Sequence, residues 1–499
     1  MESPLEKGLI WVGSDDGLVH ITRDGGKTWT NVIRNVQGLA PNAWIATVEA
    51  SHFDAGTAYV AADHHRDGDY APYAFKTTDY GRTWTPIHEG LPRRGWIHVV
   101  REDPKNRNLL YLGTELDIFA SWDGGRRWTS IRNNLPPVQV RAIVVHPREN
   151  DLIIGTHGRG AFIIDDATPL QKLAEAMTTD AALFDVPRAT RWVMWNRGAN
   201  TADQFYSAPN PPSGAMISYY LKSEARENVS IVIKNAGGAV VQTLRDQPKL
   251  AGVNRVSWDL RLETPPQPDV EAMIAAFLGP QRGGQAGRGG RGGFGGFGAG
   301  VYVLPGEYTV TLRAGGRELT KPVQIRMDPR VEISAATLQE QQDMALKLQD
   351  LSGKAGALVS QVDSLTRQLT SLQQRLRTQR RPVTTGQRAA QADQADLDGA
   401  VRAILAQLKE FRDTKLARPL AGLNYRQYPR FQEDVRTVFG MANGDPWGIT
   451  EGVKLRYTEL VAEHGQLAGE LQAFIDNDIA RINQAMSNAP YITAGPVTR

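Results

Sequence analysis

Along the first 165 positions apolar residues recur in short runs, bounded by Gly, Pro, Asn and Asp. The runs are too brief for helices and read as β-strands. They come in groups of four. One group covers 44–50, 57–61, 73–77 and 84–87, and the next covers 96–101, 109–113, 118–121 and 128–131. A later group, 140–145, 152–155 and 161–164, stops at three. The earliest group, 9–13, 18–22 and 29–33, has no run for a first, inner strand. One pattern, Ser/Thr-x-Asp-x-Gly-x-x-Trp, joins the third and fourth runs. Its copies are Thr22-Arg23-Asp24-Gly25-Gly26-Lys27-Thr28-Trp29, Thr77-Thr78-Asp79-Tyr80-Gly81-Arg82-Thr83-Trp84 and Ser121-Trp122-Asp123-Gly124-Gly125-Arg126-Arg127-Trp128. Each copy therefore occupies a hairpin turn. The carboxylates of Asp24, Asp79 and Asp123 suit the backbone N–H groups of such a turn. Gly26, Gly81 and Gly125 supply a positive φ. Trp29, Trp84 and Trp128 pack against the neighbouring strand pair.

These octapeptides resemble the Asp-box, or BNR, repeats of sialidases, xyloglucanase-type glycosidases and sortilin-like β-propellers. The box Asp residues are 55 and 44 positions apart, a blade-like period. The run Gly155-Thr156-His157-Gly158-Arg159-Gly160-Ala161-Phe162 resembles the C-terminal half of bacterial proteins of this kind that carry a glycosyl hydrolase label. Three blades and a fragment do not close a ring of four to eight. The expectation is that missing N-terminal blades of a longer polypeptide, or another chain, complete it. The resemblance implies that the box residues are structural and that ligands meet the opposite rim. Candidates there are His64, His65, Arg66 and Asp69 in the 63–70 loop, Glu115 and Asp117 in the next, and His157 and Arg159 in the third. The 63–70 loop suits a cation or a sugar, with a plain solvated insertion the commoner case. His157 and Arg159 suit binding or mere turn formation. No Arg-Ile-Pro motif of sialidases is present. A glycosidase needs two carboxyl groups across a cleft, and sequence spacing does not supply that distance.

Residues 201–330 read as a β-sandwich, with strand runs 216–221, 229–234, 240–244, 254–259, 308–313 and 322–326. Val229-Ser230-Ile231-Val232-Ile233 shows the strand alternation, and Asn235-Ala236-Gly237-Gly238 a turn. The segments around Trp258 and Pro305-Gly306-Glu307-Tyr308 are similar to small Ig-like domains, with Trp258 in the core. The stretch 279–300 is Gly-dense and resembles RGG-type RNA-binding segments, but with three Arg it reads as a disordered surface insertion.

Residues 331–499 switch to helical spacing. Leu348, Leu351, Ala355, Leu358, Val362, Leu365, Leu369, Leu372 and Leu376 form a heptad seam. Leu397, Val401, Ile404, Leu408 and Phe411 mark a second helix. Val453, Tyr457, Leu460, His464, Leu467, Leu471 and Phe474 mark a third. The segments 424–429 and 444–448 read as ordered loops. An antiparallel three-helix bundle follows, with an intermolecular coiled coil as its competitor. The fold class is thus mainly β with an α-helical C-terminal domain: a partial β-propeller (1–200), an Ig-like sandwich (201–330) and a helical bundle (331–499).

Composition narrows function. The 499 residues carry a formal charge of +3, which offers no electrostatic case for nucleic acid or membrane. There is no Cys, so disulfides are excluded. No apolar run reaches the ~20 residues of a membrane span, and the first seven residues hold no signal-peptide core. No cofactor or metal motif is visible. The reading is a non-catalytic binding protein for a peptide, protein or glycan. The alternative is a glycoside hydrolase whose main acids lie in missing blades. The resemblance implies an extracytoplasmic location.

Overall fold

The computed structural model describes residues 1–193, 210–264, 300–378, 388–417, 428–486, 492–495 and 497. Four small antiparallel sheets come first. They are β1 (Ile10–Gly13), β2 (Val19–Thr22) and β3 (Thr30–Asn31); β4 (Trp44–Ala50), β5 (Ala58–Asp63), β6 (Tyr73–Thr77) and β7 (Thr85–Pro86); β8 (Ile97–Glu102), β9 (Leu110–Thr114), β10 (Ile118–Ser121) and β11 (Thr129–Ser130); and β12 (Val140–Val145), β13 (Leu152–Thr156) and β14 (Ala161–Ile164). Within each sheet the strands lie in chain order. These are blades of a partial β-propeller. A central blade is covered on both faces by its neighbours, so β5 and β9 are buried at every position.

Two expectations change at the ends of this array, and one feature is added. The first blade does have inner-strand backbone: Ser3 N–H donates to Leu9 O at 2.8 Å and Trp11 N–H to Met1 O at 2.9 Å. Ser51 N–H makes the same bond to Thr57 O one blade on. The segment is too short and polar to read as a strand. The fourth blade has the three strands expected of it, and a helix, Thr168–Ala176, follows β14 and packs against blade three. Trp122 Nε1 donates to its Leu170 carbonyl at 2.7 Å. Finally, β15 (Ala181–Leu183) and β16 (Ala189–Arg191), on the propeller side of the expected boundary at residue 200, pair with sandwich strands.

The sandwich has two sheets. One is ordered β15, β17 (Ala215–Leu221), β20 (Gly252–Trp258). The other is ordered β16, β22 (Arg317–Met327), β21 (Gly306–Ala314), β18 (Val229–Asn235), β19 (Val240–Gln247). Ile217, Tyr219, Ile231, Ile233, Val310 and Leu312 meet in its core. Trp258 is fully buried there, its indole N–H on the Arg261 carbonyl at 3.0 Å and its ring edge-on to Tyr308. The Gly-rich insertion falls almost entirely at 265–299, outside the described residues.

The helical part is built on Ala335–Thr378, 44 residues long. All nine seam positions from Leu348 to Leu376 are buried in one cluster with residues of the other helices of the same chain. The covering helices are Arg388–Phe411, Phe431–Gly444 and Glu451–Phe474. The expected three-helix bundle therefore gains a fourth member, Phe431–Gly444. Its buried positions, Phe431, Val435, Val438 and Ala442, step by four, three and four. The helix was hidden because a run of 14 residues sits between loop-like Pro and Gly clusters. His464 lies buried against Phe431, and burial lowers its pKa.

Candidate functional site

The two ends of each blade differ in chemistry. At the hairpin end the acids are consumed locally. Asp24 accepts from Lys27 N–H and Thr28 N–H, both at 2.9 Å, and from the Thr28 hydroxyl at 2.6 Å. Asp79 accepts from Thr83 N–H at 2.9 Å and its hydroxyl at 2.7 Å. Asp123 accepts from Arg126 and Arg127 N–H, both at 3.0 Å. The buried hydroxyls of Thr22, Thr77 and Ser121 tie each turn together. Each donates to its Asp and accepts from the N–H of Gly26, Gly81 or Gly125 at 2.9–3.0 Å. These bonds favour the carboxylate form. The Thr28 hydroxyl foremost holds Asp24 far below the usual range, and the Thr83 N–H does the same to a smaller degree for Asp79. For Asp123 burial pushes upward, but the Arg127 N–H and Ser121 hydroxyl outweigh it.

At the opposite rim the groups come from different blades. β5 ends at Asp63, β8 begins just after Trp96, and Glu115 follows β9. Each inner strand carries a bulge near its start: the register shifts between Ile45 and Thr47, between Ile97 and Val99, and between Val140 and Ala142. The extra residues are Ala46, His98 and Arg141. A bulge re-aims the side chain it carries. His98 accordingly lies between two carboxylates, Nδ1 3.6 Å from Asp63 Oδ2 and Nε2 3.4 Å from Glu115 Oε2. Both His98 and Asp63 are buried, while Glu115 is partly exposed. Burial, reinforced by Arg141, lowers the His98 pKa against the pull of the two acids. A neutral imidazole has one N–H, and the contact to Glu115 claims it. Gln139 donates to Glu115 as well, and Arg141 Nε donates to Gln139 Oε1 at 2.8 Å.

His65 completes the cluster. Its Nδ1 lies 2.6 Å from Asp63 Oδ1, and its ring stacks on Trp96 with centroids 4.6 Å apart. Trp96 Nε1, His98 Nδ1 and Asp63 Oδ2 are buried without a hydrogen-bond partner.

The other sequence candidates are distributed around this cluster. His64 pairs with Asp67 at 3.2 Å, and the exposed Arg66 guanidinium lies 5.0 Å from the Trp44 ring. Asp69 accepts from the Tyr73 hydroxyl at 2.6 Å, which lowers its pKa, while burial pushes Tyr73 up to about 12. Asp117 serves its own loop, accepting from Ile118 N–H at 2.8 Å and the Ser130 hydroxyl at 3.0 Å. His157 and Arg159 are exposed on the third loop, with His157 N–H on the Gln139 carbonyl at 2.9 Å. The structure therefore brings Glu115 and His65 together and leaves His157 and Arg159 on the rim without a side-chain partner among the described residues.

Trp96, His98 and Gln139 were not singled out from sequence. A His inside an apolar strand run carries no visible sign of a bulge. A further missed group joins blades two and three: buried Glu102 accepts from the hydroxyls of Ser51 at 2.8 Å and Tyr59 at 2.8 Å, and from His52 N–H. Among the described residues no group of three or more His, Cys, Asp or Glu is placed to hold a metal ion. No described helix is long and apolar enough to cross a membrane.

The fold defines a partial β-propeller followed by a β-sandwich and a helical bundle. No family model matches the sequence. Over 113 residues it is 28% identical to an oligoxyloglucan-reducing end-specific xyloglucanase of Emericella nidulans, covering 21% of this chain and 13% of that protein. Among solved structures it is similar to YCF48 from Cyanidioschyzon merolae (20% identity, 34% of this chain and 60% of that chain, TM-score 0.22). It is also similar to a GH74 enzyme of Niastella koreensis (14% identity, 49% of this chain and 37% of that chain, TM-score 0.27). The chain thus spans less than two thirds of the length of each of these proteins.

Proposed function

We propose that this chain is a non-catalytic binding protein of the sortilin-like, Asp-box type, whose propeller rim holds a peptide, protein or glycan. The supporting observation is the partly exposed Glu115 carboxylate at the rim, held by His98 and Gln139 beside the buried Asp63 and Trp96 of the same cluster. A charged acid positioned by buried partners at a solvent-facing rim is a place for a ligand's polar groups to bear on. The hairpin acids are structural in this reading, and the sandwich and bundle serve as spacer and docking surface. An extracytoplasmic site of action belongs to the same proposal.

A second reading, glycoside hydrolysis, draws on the stretch similar to a xyloglucanase. In that reading the main acids lie in blades outside this chain; Asp63, almost completely buried behind His98, does not form an open pair with Glu115. An array of peptides and oligosaccharides, including xyloglucan fragments, combined with a reducing-sugar assay separates the two. Binding that is lost in Glu115→Gln, with no sugar released, supports the proposal. Release of reducing ends supports hydrolysis.

A further inference from the structure

One strand position breaks the pattern of the blades. The register places Ile21, Lys76 and Ala120 at equivalent points of β2, β6 and β10, opposite Trp11, Tyr59 and Tyr111. Ile21 is 5% exposed and Ala120 0%, each in a core cluster shared with the following blade. Blade two puts a lysine there. Lysine is seldom taken out of water without a partner. Lys76 is half-buried, yet it makes no hydrogen bond or ion pair among the described residues. Its Nζ lies 5.4 Å from the centroid of the Tyr59 ring, whose hydroxyl is already given to Glu102 at 2.8 Å.

Two guanidiniums share this place. The hairpin turn of blade three comes up beside Lys76, and a Cβ on Gly124 would lie 3.7 Å from its Nζ. Gly124 N–H donates to the Asn108 carbonyl at 2.9 Å, which ties that turn to the loop carrying Arg107. Arg107 lies over the Phe53 ring of blade two at 5.6 Å, with Nη2 3.4 Å from the Phe53 carbonyl. Arg126 is exposed on the turn itself. Burial foremost lowers the Lys76 pKa, and the charges of Arg107 and Arg126 lower it further, against the pull of Glu102 and Asp54. Glu102 spends its oxygens on Ser51, Tyr59 and His52. Among the described residues no acid comes within ion-pair distance of Lys76, Arg107 or Arg126. The preceding junction is built differently. There Tyr80 stands where blade three has Gly124, Arg23 of blade one lies over its ring at 4.0 Å, and Arg23 pairs with Glu6 at 3.7 Å.

We propose that Lys76, Arg107 and Arg126 form a site for a tetrahedral dianion of the phosphate type, in the cleft between blades two and three on the hairpin side. Like charges gathered without a counter-charge repel one another, most strongly where one of them is partly out of water. A bound anion relieves that repulsion. The cleft floor supplies an ammonium and its open side two guanidiniums, and Gly124 leaves room above the ammonium where blade two has a tyrosine. A phosphate carries a charge near −2 at neutral pH and strong acceptor oxygens, so it meets donors arriving from three directions. A planar carboxylate presents two oxygens in one plane and suits a single guanidinium fork. Free phosphate and a phosphomonoester share this chemistry. The site lies at the opposite end of the blades from Glu115 and does not depend on the rim ligand.

The test is titration calorimetry of the full chain at neutral pH and low ionic strength, with inorganic phosphate, phenyl phosphate and acetate as probes. The expected result is one saturable site for phosphate, with acetate at least tenfold weaker. Phenyl phosphate tells the two sources apart: an affinity equal to that of phosphate or above it assigns the site to an ester, and its exclusion assigns the site to the free ion. Lys76→Leu, which restores the apolar pattern of Ile21, and Arg126→Gln each weaken phosphate at least tenfold. Arg127→Gln, one residue further along the same exposed turn, changes it less than twofold. Circular dichroism verifies the fold of each variant, and should Lys76→Leu not fold, Arg107→Gln carries the same expectation. Absence of saturable phosphate binding overturns the proposal, as does acetate bound as tightly as phosphate. An equal loss in Arg127→Gln, the mark of general surface charge, also overturns it.

Discussion

The hairpin acids and the Asp63–Glu115 pair at the rim of the same blades differ in the reach of their contacts. At the hairpins, Asp24, Asp79 and Asp123 bind backbone N–H groups three to four residues along the chain. At the rim, Asp63 and Glu115 meet a histidine 35 and 17 residues away, brought between them by a bulge in the inner strand of Glu115's own blade, against Asp63 of the blade before. A carboxylate saturated by its own turn has little left for a ligand, whereas one that shares a neutral imidazole with a second acid keeps unused capacity. The contrast separates what holds the blades together from what they present.

The largest effect is expected where backbone and packing act together. Gly125→Ala places a Cβ 2.9 Å from Ile87 at φ +97°, and the combined strain and overpacking cost about 2–5 kcal/mol. Gly26→Ala, at φ +95° with no neighbouring blade in reach, costs only the backbone part, about 1–2 kcal/mol. Urea denaturation of both variants measures the difference. Equal losses would mean that the blade junction contributes nothing at this turn.

Next comes the buried hydroxyl of Thr77, which accepts from Gly81 N–H and donates to Asp79. Thr77→Val keeps the shape, strands the Gly81 N–H and is expected to cost about 1–3 kcal/mol, with ligand affinity unchanged. Glu115→Gln at the rim reverses the pattern: less than about 1 kcal/mol in stability, because the residue is partly exposed, and at least a tenfold loss of affinity on the array.

The smallest effect is in pH. His98 has a lowered folded pKa, so the unfolded chain takes up its proton first. Its contribution is complete above about pH 6.5 and declines as pH falls below that. His52 acts in the opposite sense, since its bond to Glu102 raises its pKa. The informative quantity is therefore the difference between wild type and His98→Gln from pH 7.5 to 5, which should narrow toward acid. Asp79 and Asp123, with lowered pKa values, add a separate loss of stability below about pH 4.

Legibility in the sequence follows the same division. The blades and hairpin turns were readable because their determinants are local: strand runs, a turn glycine, an Asp three or four residues from its donors. The long helix was equally plain, since nine seam residues declare one face. Phe431–Gly444 was missed because its short apolar face lies between Pro and Gly clusters. Helix Thr168–Ala176 is not legible because its nine residues are too few to declare an apolar face. At the rim, the loops carrying His65 and Glu115 were identified, but Trp96, His98 and Gln139 were not. Their importance depends on a bulge and on contacts between blades, which leave no periodic trace.

The central claim is the division of labour between the two ends of the blade. Its most direct test is to measure the thermal midpoint and the affinity for the strongest ligand of the peptide and oligosaccharide array on the same samples of Thr77→Val and Glu115→Gln. Thr77→Val is expected to lower the midpoint with affinity unchanged, and Glu115→Gln to lose affinity at an unchanged midpoint. Lost affinity at an unchanged midpoint for Thr77→Val, or full affinity for Glu115→Gln, would contradict the claim.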